Sequence, residues 1–230
     1  MKSIKDRYQK RVKLLPEMEG AVARWYDRNR RSGPQMEVVR RQAAQLTEGL
    51  LSDADVLEVA PGPGYLAIDM ARRGRFHVTG LDISRTFVEI ANENAAQADV
   101  RVDFRQGDVA SIPFPADSFD LVVCQAAFKN FAQPGRALDE LHRVLRGGGT
   151  PVIQDMSRDA SGADIAHEVS GMGLSRLNAF VTKAALTGLR RRAYTPAQLE
   201  RLAAESAFQS CAITTEGIGL EVRLKKPITA

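Results

Sequence analysis

Short apolar runs and longer amphipathic segments alternate along most of the chain. The apolar runs, which predict strands, lie at residues 55–60, 76–82, 100–105, 119–124 and 150–155. Between them, apolar residues recur at three- and four-residue spacing, which predicts helices over 64–73, 85–97 and 134–145. Ser84 is a candidate N-cap, and Gly147-Gly148-Gly149 is expected to stop the third helix. This alternation predicts an α/β fold with a Rossmann-like, doubly wound, mostly parallel sheet.

The two flanks of this region follow different patterns. Met18, Val22, Trp25 and Tyr26 have helical spacing, and a second helical stripe follows Gly33-Pro34. Residues 157–194 are also predicted to be helical, and Thr195 begins a capping box for a helix ending near Ser206. Runs at 211–215 and 220–224 predict a C-terminal hairpin that completes a seven-stranded sheet. We therefore expect a helical cap at 1–50 and a main domain at 51–230, with 157–194 as a helical cover for the substrate.

Composition and charge exclude several classes of protein. The 230 residues are 44% hydrophobic and 26% charged, as in ordinary globular proteins, and no run of about 18 apolar residues predicts a membrane span. Two cysteines without a disulfide or zinc pattern, and a start without a signal-like apolar run, suggest the cytoplasm. Residues 1–41 hold twelve Lys/Arg and five Asp/Glu, a net +7, which leaves −3 for the remainder. This basic segment fits a solvated surface better than a nucleic-acid or lipid site.

The turn after the first strand, Glu58-Val59-Ala60-Pro61-Gly62-Pro63-Gly64, is the main candidate for a cofactor site. Gly62 to Ala67 fits the dinucleotide pattern G-x-G-x-x-G/A. However, Pro61 and Pro63 remove two N–H donors that a pyrophosphate would use. A carboxylate at Glu58 would repel a pyrophosphate and attract an ammonium group. The turn therefore favours a cationic nucleoside without phosphate, namely S-adenosylmethionine.

Acidic residues also follow the second and third strands. Asp82, 18 residues beyond Gly64, is placed to accept hydrogen bonds from ribose hydroxyls, although the same spacing fits dinucleotide enzymes. As a residue at a strand end, Asp82 is expected to contribute little to packing. Gly107-Asp108-Val109 follows the third strand, where Asp108 is either a ligand contact or a turn residue.

These motifs together resemble class I S-adenosylmethionine-dependent methyltransferases with a type 11 methyltransferase domain. The resemblance covers about residues 55–155 and includes Ile112-Pro113-Phe114-Pro115, Ser118-Phe119-Asp120 and the segment 137–149. Ala60 departs from it, since the family has glycine there. The nearest group is the ubiquinone/menaquinone-biosynthesis type, which Trp25-Tyr26-Asp27 and Phe128-Lys129-Asn130 resemble, whereas 157–210 does not. The resemblance implies these cofactor contacts: Tyr26, Glu58, Ala60, Pro61, Gly62, Gly64, Asp82, Ile83, Gly107, Asp108, Val109, Gln125 and Ala126.

Methyl transfer from a sulfonium requires alignment and exclusion of water rather than a metal. No metal site is predicted, because His77, His142 and His167 are scattered in the sequence. The candidates for contact with the acceptor are Trp25, Asn130, Asp155 and His167, although Asp155 could instead cap a helix and His167 could act as a base. We expect a small-molecule acceptor, because the chain lacks both the (D/N)-P-P-(Y/F) run and the Pro-Cys nucleophile of nucleic-acid enzymes. A protein or RNA methyltransferase and a non-catalytic binding module stay open as alternatives, as do the acceptor atom and the oligomeric state.

Overall fold

The computed structural model describes residues 18–31 and 33–228. The part of the basic segment before Met18 therefore lies outside the described residues. One seven-stranded sheet has the order β3-β2-β1-β4-β5-β7-β6. All neighbouring strands pair in parallel except β7, which is antiparallel to both β5 and β6. The strands are β1 (Asp55–Val59), β2 (His77–Asp82), β3 (Asp103–Gln106), β4 (Phe119–Gln125), β5 (Leu145–Met156), β6 (Ala212–Glu216) and β7 (Gly219–Arg223). The predicted doubly wound sheet and its C-terminal hairpin are confirmed.

Eight α-helices lie in the described part of the chain. They are α1 (Gly20–Arg30), α2 (Gly33–Thr47), α3 (Tyr65–Arg73), α4 (Arg85–Gln97), α5 (Pro134–Val144), α6 (Gly162–Gly171), α7 (Arg176–Arg190) and α8 (Pro196–Ala204). Two capping predictions are confirmed: Ser84 caps α4, and Thr195 with Gln198 forms the capping box of α8. Within the described residues, none of these helices is long and apolar enough to cross a membrane.

Alternate residues of the central strands pack against two separate hydrophobic layers. Leu57 and Val59 belong to the layer that includes residues of α5 and α8, whereas Val56 belongs to the layer that includes residues of α2, α3 and α4. Val39, Ala43 and Leu46 of α2 are buried in this second layer. Burial on both faces explains why β1 and β4 are nearly continuous apolar runs, and it makes α2 part of the core.

One predicted boundary was wrong, and helical spacing did not show which side of α1 is buried. The glycine run 147–149 does not precede the fifth strand but lies inside β5, which begins at Leu145. Pairing with β4 changes register between Phe119 and Leu121, and a Cβ on Gly149 would come within 2.9 Å of the Arg146 carbonyl oxygen, so the bulged strand requires glycine there. In α1, Val22 and Trp25 are more than half exposed, and the buried residues are Ala23 and Asp27.

Residues 157–194, between β5 and α8, form a segment that we call the excursion. It leaves the sheet and returns to it at adjacent positions. Ser157 and Tyr194 form an isolated parallel bridge just beyond the carboxyl end of β5. Between them, α6 buries Ile165 and Val169, whereas α7 has no buried residue along its 15 positions. The excursion is therefore attached mainly through α6 and its two ends.

Candidate functional site

The Gly/Pro turn uses its own backbone donors internally. The N–H of Ala60 donates to the Leu81 carbonyl oxygen (2.8 Å), that of Gly64 to the Pro61 carbonyl oxygen (3.1 Å), and that of Gly62 to Asp82 Oδ2 (3.0 Å). Pro61 and Pro63 have no N–H to offer. No backbone donor of residues 60–64 is therefore left for a pyrophosphate, which dinucleotide-binding turns hold through such groups.

Two carboxyl groups are buried beside this turn. Glu58 and Asp82 are only 2% and 5% exposed and lie at the carboxyl ends of the adjacent strands β1 and β2. Burial raises the pKa of Glu58 to about 8, a hydrogen bond from the Ala67 N–H opposes this, and the neighbouring Asp82 charge adds to it. Glu58 is thus largely neutral at pH 7, which revises the expectation of a charged group, and its Oε2 atom has no hydrogen-bond partner.

Asp82 organises the loops on both sides of it. Its carboxylate accepts hydrogen bonds from the N–H groups of Gly62 and Ser84, at 3.0 and 2.8 Å, and its own carbonyl oxygen accepts one from Gly107. Burial raises the pKa of Asp82, although these backbone donors oppose the shift. The expectation that this side chain matters little for packing was wrong, because its removal would leave buried N–H groups without acceptors.

Left-handed backbone marks the ends of the two central strands. Ala60 follows β1 with φ 55°, and Ala126 follows β4 with φ 56°, both in a region that favours glycine. Gly64 has φ 80°, and a Cβ there would meet the Phe104 ring at 2.6 Å. These residues keep the turns tight next to the buried carboxyls, as at strained sites that bind ligands closely.

The remaining predicted cofactor residues lie on the neighbouring loops. Asp108 is exposed and caps the short turn 109–111 by accepting from the Ala110 N–H, so it serves as a turn residue here. Ile83 is 40% exposed next to Asp82. Gln125 donates to Gln42 Oε1 of α2 at 2.7 Å. The parallel sheet thus brings four segments to the same side, at the carboxyl ends of its strands: 58–64, 82–84, 107–109 and 125–126.

Comparison with known proteins agrees with this geometry. Residues 57–153 match the family model described as a methyltransferase domain. This segment belongs to the methyltransferase-domain family. The chain is 32% identical over 156 residues, 67% of its length, to a demethylmenaquinone methyltransferase of Deinococcus radiodurans, of which the match covers 65%. The chain spans less than two thirds of the length of the curated relatives it matches.

Solved structures share the fold of the methyltransferase domain and its flanks. A structure described as an S-adenosyl-L-methionine-dependent methyltransferase from Methanococcus maripaludis superposes with a TM-score of 0.74 at 20% identity, over 94% of this chain and 97% of that one. A [4+2]-cyclase superposes with a TM-score of 0.58 at 23% identity, over 86% and 84%. At these identities the likeness concerns the fold alone, and the cyclase illustrates that a fold does not fix a reaction.

A buried ion pair follows β4 of the methyltransferase domain. Lys129 Nζ lies 2.7 Å from Asp155 Oδ1, and the two side chains are 6% and 7% exposed. Asp155 also accepts from the N–H groups of Lys129 and Met156, and Lys129 Nζ donates to the Ala126 carbonyl oxygen. Asp155 is therefore a partner of Lys129 rather than a helix cap. Sequence reasoning assigned no role to Lys129, since nothing local shows that β5 brings a carboxylate to it.

Hydrogen bonds hold the N-terminal segment, residues 18–31, against the methyltransferase domain. We call this segment the clasp. Glu19 accepts from the N–H groups of Arg85 and Thr86 at 2.9 and 3.1 Å, and Ser84 Oγ donates to the Met18 carbonyl oxygen at 2.7 Å. Tyr26 packs edge-on against Phe87 at 5.9 Å between ring centroids. This places Tyr26 over α4, directly after the Asp82 loop.

A second contact of the clasp centres on the buried Asp27. Its carboxylate accepts from Tyr65 Oη (2.6 Å), Asn94 Nδ2 (3.2 Å) and Arg31 Nη2 (3.0 Å). Asn94 also donates to the Pro63 carbonyl oxygen at 2.9 Å, which links α1 to the Gly/Pro turn. Burial alone would raise the pKa of Asp27, but these hydrogen bonds outweigh it and the pKa is lowered. The sequence pattern indicated a helix here but not this network.

The predicted acceptor-binding residues lie on different elements of the structure. Trp25 is 59% exposed, and Asn130 and His167 are also exposed, on α1, after β4 and on α6. Within the described residues no group of three or more His, Cys, Asp or Glu side chains could hold a metal ion. The roles of these residues in acceptor binding stay predictions.

Proposed function

We propose that this chain is an S-adenosylmethionine-dependent methyltransferase that acts on a small-molecule acceptor. The observation that carries the proposal is the pair of buried carboxyls, Glu58 and Asp82, beside a turn whose backbone donors are already used. Such a site offers acceptors and has no free donor in residues 60–64, so it suits ligand hydroxyl and ammonium groups and disfavours phosphate.

The residues present fit this cofactor. Asp82 uses each oxygen for one backbone N–H, and a carboxylate has about four lone-pair positions, so ribose hydroxyls can still donate to it. Glu58 Oε2 is a buried polar atom without a partner, and because a neutral carboxyl can both donate and accept, a ligand group that hydrogen-bonds to it would stabilise it. The tight backbone at Ala60 and Gly62 would let a ligand approach closely, since nothing lies within 4 Å of where a Cβ of Gly62 would be.

When bound, S-adenosylmethionine would supply a methyl group activated by its sulfonium. The protein's part is to hold the two partners in line and to exclude water. The clasp of residues 18–31 and the excursion 157–194 flank the site edge and are the candidates for this role. Trp25, Asn130, Asp155 and His167 remain our candidates for contact with the acceptor, and Tyr26 remains a candidate for contact with the cofactor.

Calorimetry with S-adenosylhomocysteine and NAD tests the cofactor assignment. We expect S-adenosylhomocysteine to bind and NAD to bind more weakly or not at all. Asp82→Asn keeps one acceptor oxygen and should weaken S-adenosylhomocysteine binding by about 1.5–3 kcal/mol, the usual range for hydrogen bonds to a charged group. Asp103→Asn on β3 is the matched control. Tighter binding of NAD than of S-adenosylhomocysteine would contradict the proposal.

Methyl transfer from labelled S-adenosylmethionine identifies the class of molecule that accepts the methyl group. Because a relative is named a demethylmenaquinone methyltransferase, demethylmenaquinone is the first small molecule to test, beside a mixed small-molecule extract, bulk RNA and bulk protein. Label in a small molecule supports the proposal. Label recovered only in RNA or protein would replace it with the macromolecular alternative.

A further inference from the structure

One face of α7 presents apolar side chains to solvent. Leu177, Phe180, Val181 and Ala184 are all exposed and are spaced by three, one and three residues, so they form a single stripe. Leu177 and Phe180 are each 72% exposed, and none of the helix's 15 residues is buried. Met172 and Leu174, just before the helix, are exposed as well. A contiguous exposed apolar surface of this kind marks a site of association.

The same stretch is strongly basic. Residues 169–199 contain five Lys/Arg and no Asp or Glu. Arg176, Lys183 and Arg190 recur every seven residues, about two helical turns, and so form a row beside the apolar stripe. Arg176 and Lys183 are exposed, whereas Arg190 donates to the Ala160 carbonyl oxygen at 2.8 Å.

The packed neighbour of α7 offers little charge to offset this row. The acidic residues of α6 are Asp164 and Glu168, and Asp164 is held in the capping box with Ser161 at the start of that helix. The surface made by Met172, Leu174 and the outward stripe of α7 is therefore apolar and bordered by cations. We refer to it as the α7 face.

We propose that the α7 face binds the surface of an anionic lipid membrane. A helix with an apolar stripe and a border of Lys and Arg lies in the interface of such a membrane, with its apolar side chains among the acyl chains and its cations near the headgroups. A second copy of this chain fits less well, because a twofold contact between α7 faces would bring their cations together. The proposal goes beyond the proposed function and does not depend on it.

Flotation of the full chain with lipid vesicles tests the proposal. We expect binding to vesicles made of equal parts of phosphatidylglycerol and phosphatidylcholine, weakening as salt is raised, and no binding to phosphatidylcholine alone. Leu177→Glu/Phe180→Glu should reduce binding by about tenfold or more, because it removes the two most exposed side chains of the stripe. Leu51→Glu/Ile228→Glu is the matched control, since both residues are exposed apolar side chains outside α7 and it adds the same charge.

The variants are informative about folding as well. Neither Leu177 nor Phe180 is buried, so we expect the thermal midpoint to stay within a few degrees of the wild type. Leu177→Ser/Phe180→Ser, which adds no charge, should also weaken binding and replaces the first variant if that one fails to fold.

Three results would overturn the proposal. The first is a wild-type chain that does not float with anionic vesicles. The second is equal loss in the test and control variants, or undiminished binding of both test variants, because either outcome would show that binding does not depend on the α7 face. The third is a concentration-dependent dimer, seen by sedimentation without vesicles, that the Leu177→Glu/Phe180→Glu change dissociates, because the α7 face would then be covered by a second copy.

Discussion

Glu58 makes the stability of the fold depend on pH. Its carboxyl group has a pKa of about 8 in the folded chain, mainly because of burial, against 4.5 for the unperturbed group. Between these two values the folded chain holds a proton that the unfolded chain has released. The free energy of unfolding therefore falls as the pH rises through this window and stops falling above about pH 8.

Glu58→Gln should remove this pH dependence. We expect the wild type to lose about 2–3 kcal/mol of unfolding free energy between pH 6 and pH 8 relative to the variant, because each pKa unit corresponds to about 1.4 kcal/mol. Denaturant unfolding at several pH values measures it, with the exposed Glu37→Gln as control. Parallel stability curves for wild type and Glu58→Gln would show that Glu58 is ionised in the folded chain.

Ala60 holds a conformation in which glycine would be more stable. Its φ of 55° lies in the left-handed region, where a Cβ crowds the backbone. Ala60→Gly should therefore stabilise the fold by about 0.5–1 kcal/mol. Ala67→Gly, in α3 with ordinary helical geometry, should instead destabilise it by a similar amount. Chemical denaturation compares the two, and destabilisation by both changes would mean that the turn at Ala60 is not strained.

At the scale of elements, buried polar contacts fix segments that the hydrophobic layers hold only weakly. α1 buries only Ala23 and Asp27, so its position depends on Asp27 and on the Glu19 clasp. The turn after β4 also contains a buried polar contact, between Lys129 and Asp155, although Phe128 additionally packs this turn into a hydrophobic layer. Removing one partner of such a contact leaves a buried polar group unsatisfied, which costs more than the contact itself contributes.

Asp27→Asn should lower the free energy of unfolding by about 1–3 kcal/mol at pH 7 and weaken S-adenosylhomocysteine binding, because the network reaches the Pro63 carbonyl oxygen. The pKa of Asp27 is lowered in the folded chain. Its contribution is therefore complete above the unperturbed pKa of 3.8 and is lost as the pH falls below it. Denaturation at pH 7 and pH 3, with Glu89→Gln on α4 as control, measures both effects. A constant difference down to pH 3 would contradict the ionised network.

Lys129 and Asp155 should behave as one unit. Lys129→Met leaves a buried carboxylate without its cation and should cost about 3–5 kcal/mol, whereas Lys129→Met/Asp155→Asn should cost less than the two single changes added together. The exposed pair Arg105 and Asp103 gives the control cycle, with an expected coupling of at most about 1 kcal/mol. Additive losses at 129 and 155 would show that the pair is not coupled.

Local signals predicted more of these elements than long-range ones. Ser84 and Thr195 were identified correctly because a cap is decided by residues three positions apart. The start of β5 and the buried face of α1 were missed, because they depend on a register shift against β4 and on Asp27 meeting Tyr65 and Asn94. Among the site residues, Glu58 and Asp82 could be placed at the sheet edge, but their burial and their backbone partners could not be read from the sequence.

At the scale of the whole molecule, stability is concentrated in the sheet and decreases toward the excursion. β1 and β4 are buried between two hydrophobic layers, whereas α7 buries none of its residues. Regions with little buried apolar surface open with a small free energy. The chain therefore combines a rigid central sheet with a loosely packed helix, α7, in the segment between β5 and α8.

Native-state amide hydrogen exchange should show this gradient directly. We expect amides of β4 to exchange only through global unfolding and those of α7 to exchange faster by about a hundredfold or more, through local opening. Mass spectrometry of peptides from residues 119–125 and 176–190 gives both rates in one experiment. Equal protection of the two segments would show that α7 is held by contacts as strong as those of the sheet.

The bridge between Ser157 and Tyr194 has a consequence for how this fold can diversify. Because the chain leaves and returns at adjacent residues, we expect a change in length within the largely exposed α7 to leave strand order and the spacing of the loops at the carboxyl ends of the strands unaltered. A graft from a relative would need to reproduce those two anchor positions and the buried contacts that Ile165 and Val169 make from α6. The excursion could thus vary among related proteins while the sheet stays the same. Such variation could change the acceptor or the location in the cell without changing the cofactor.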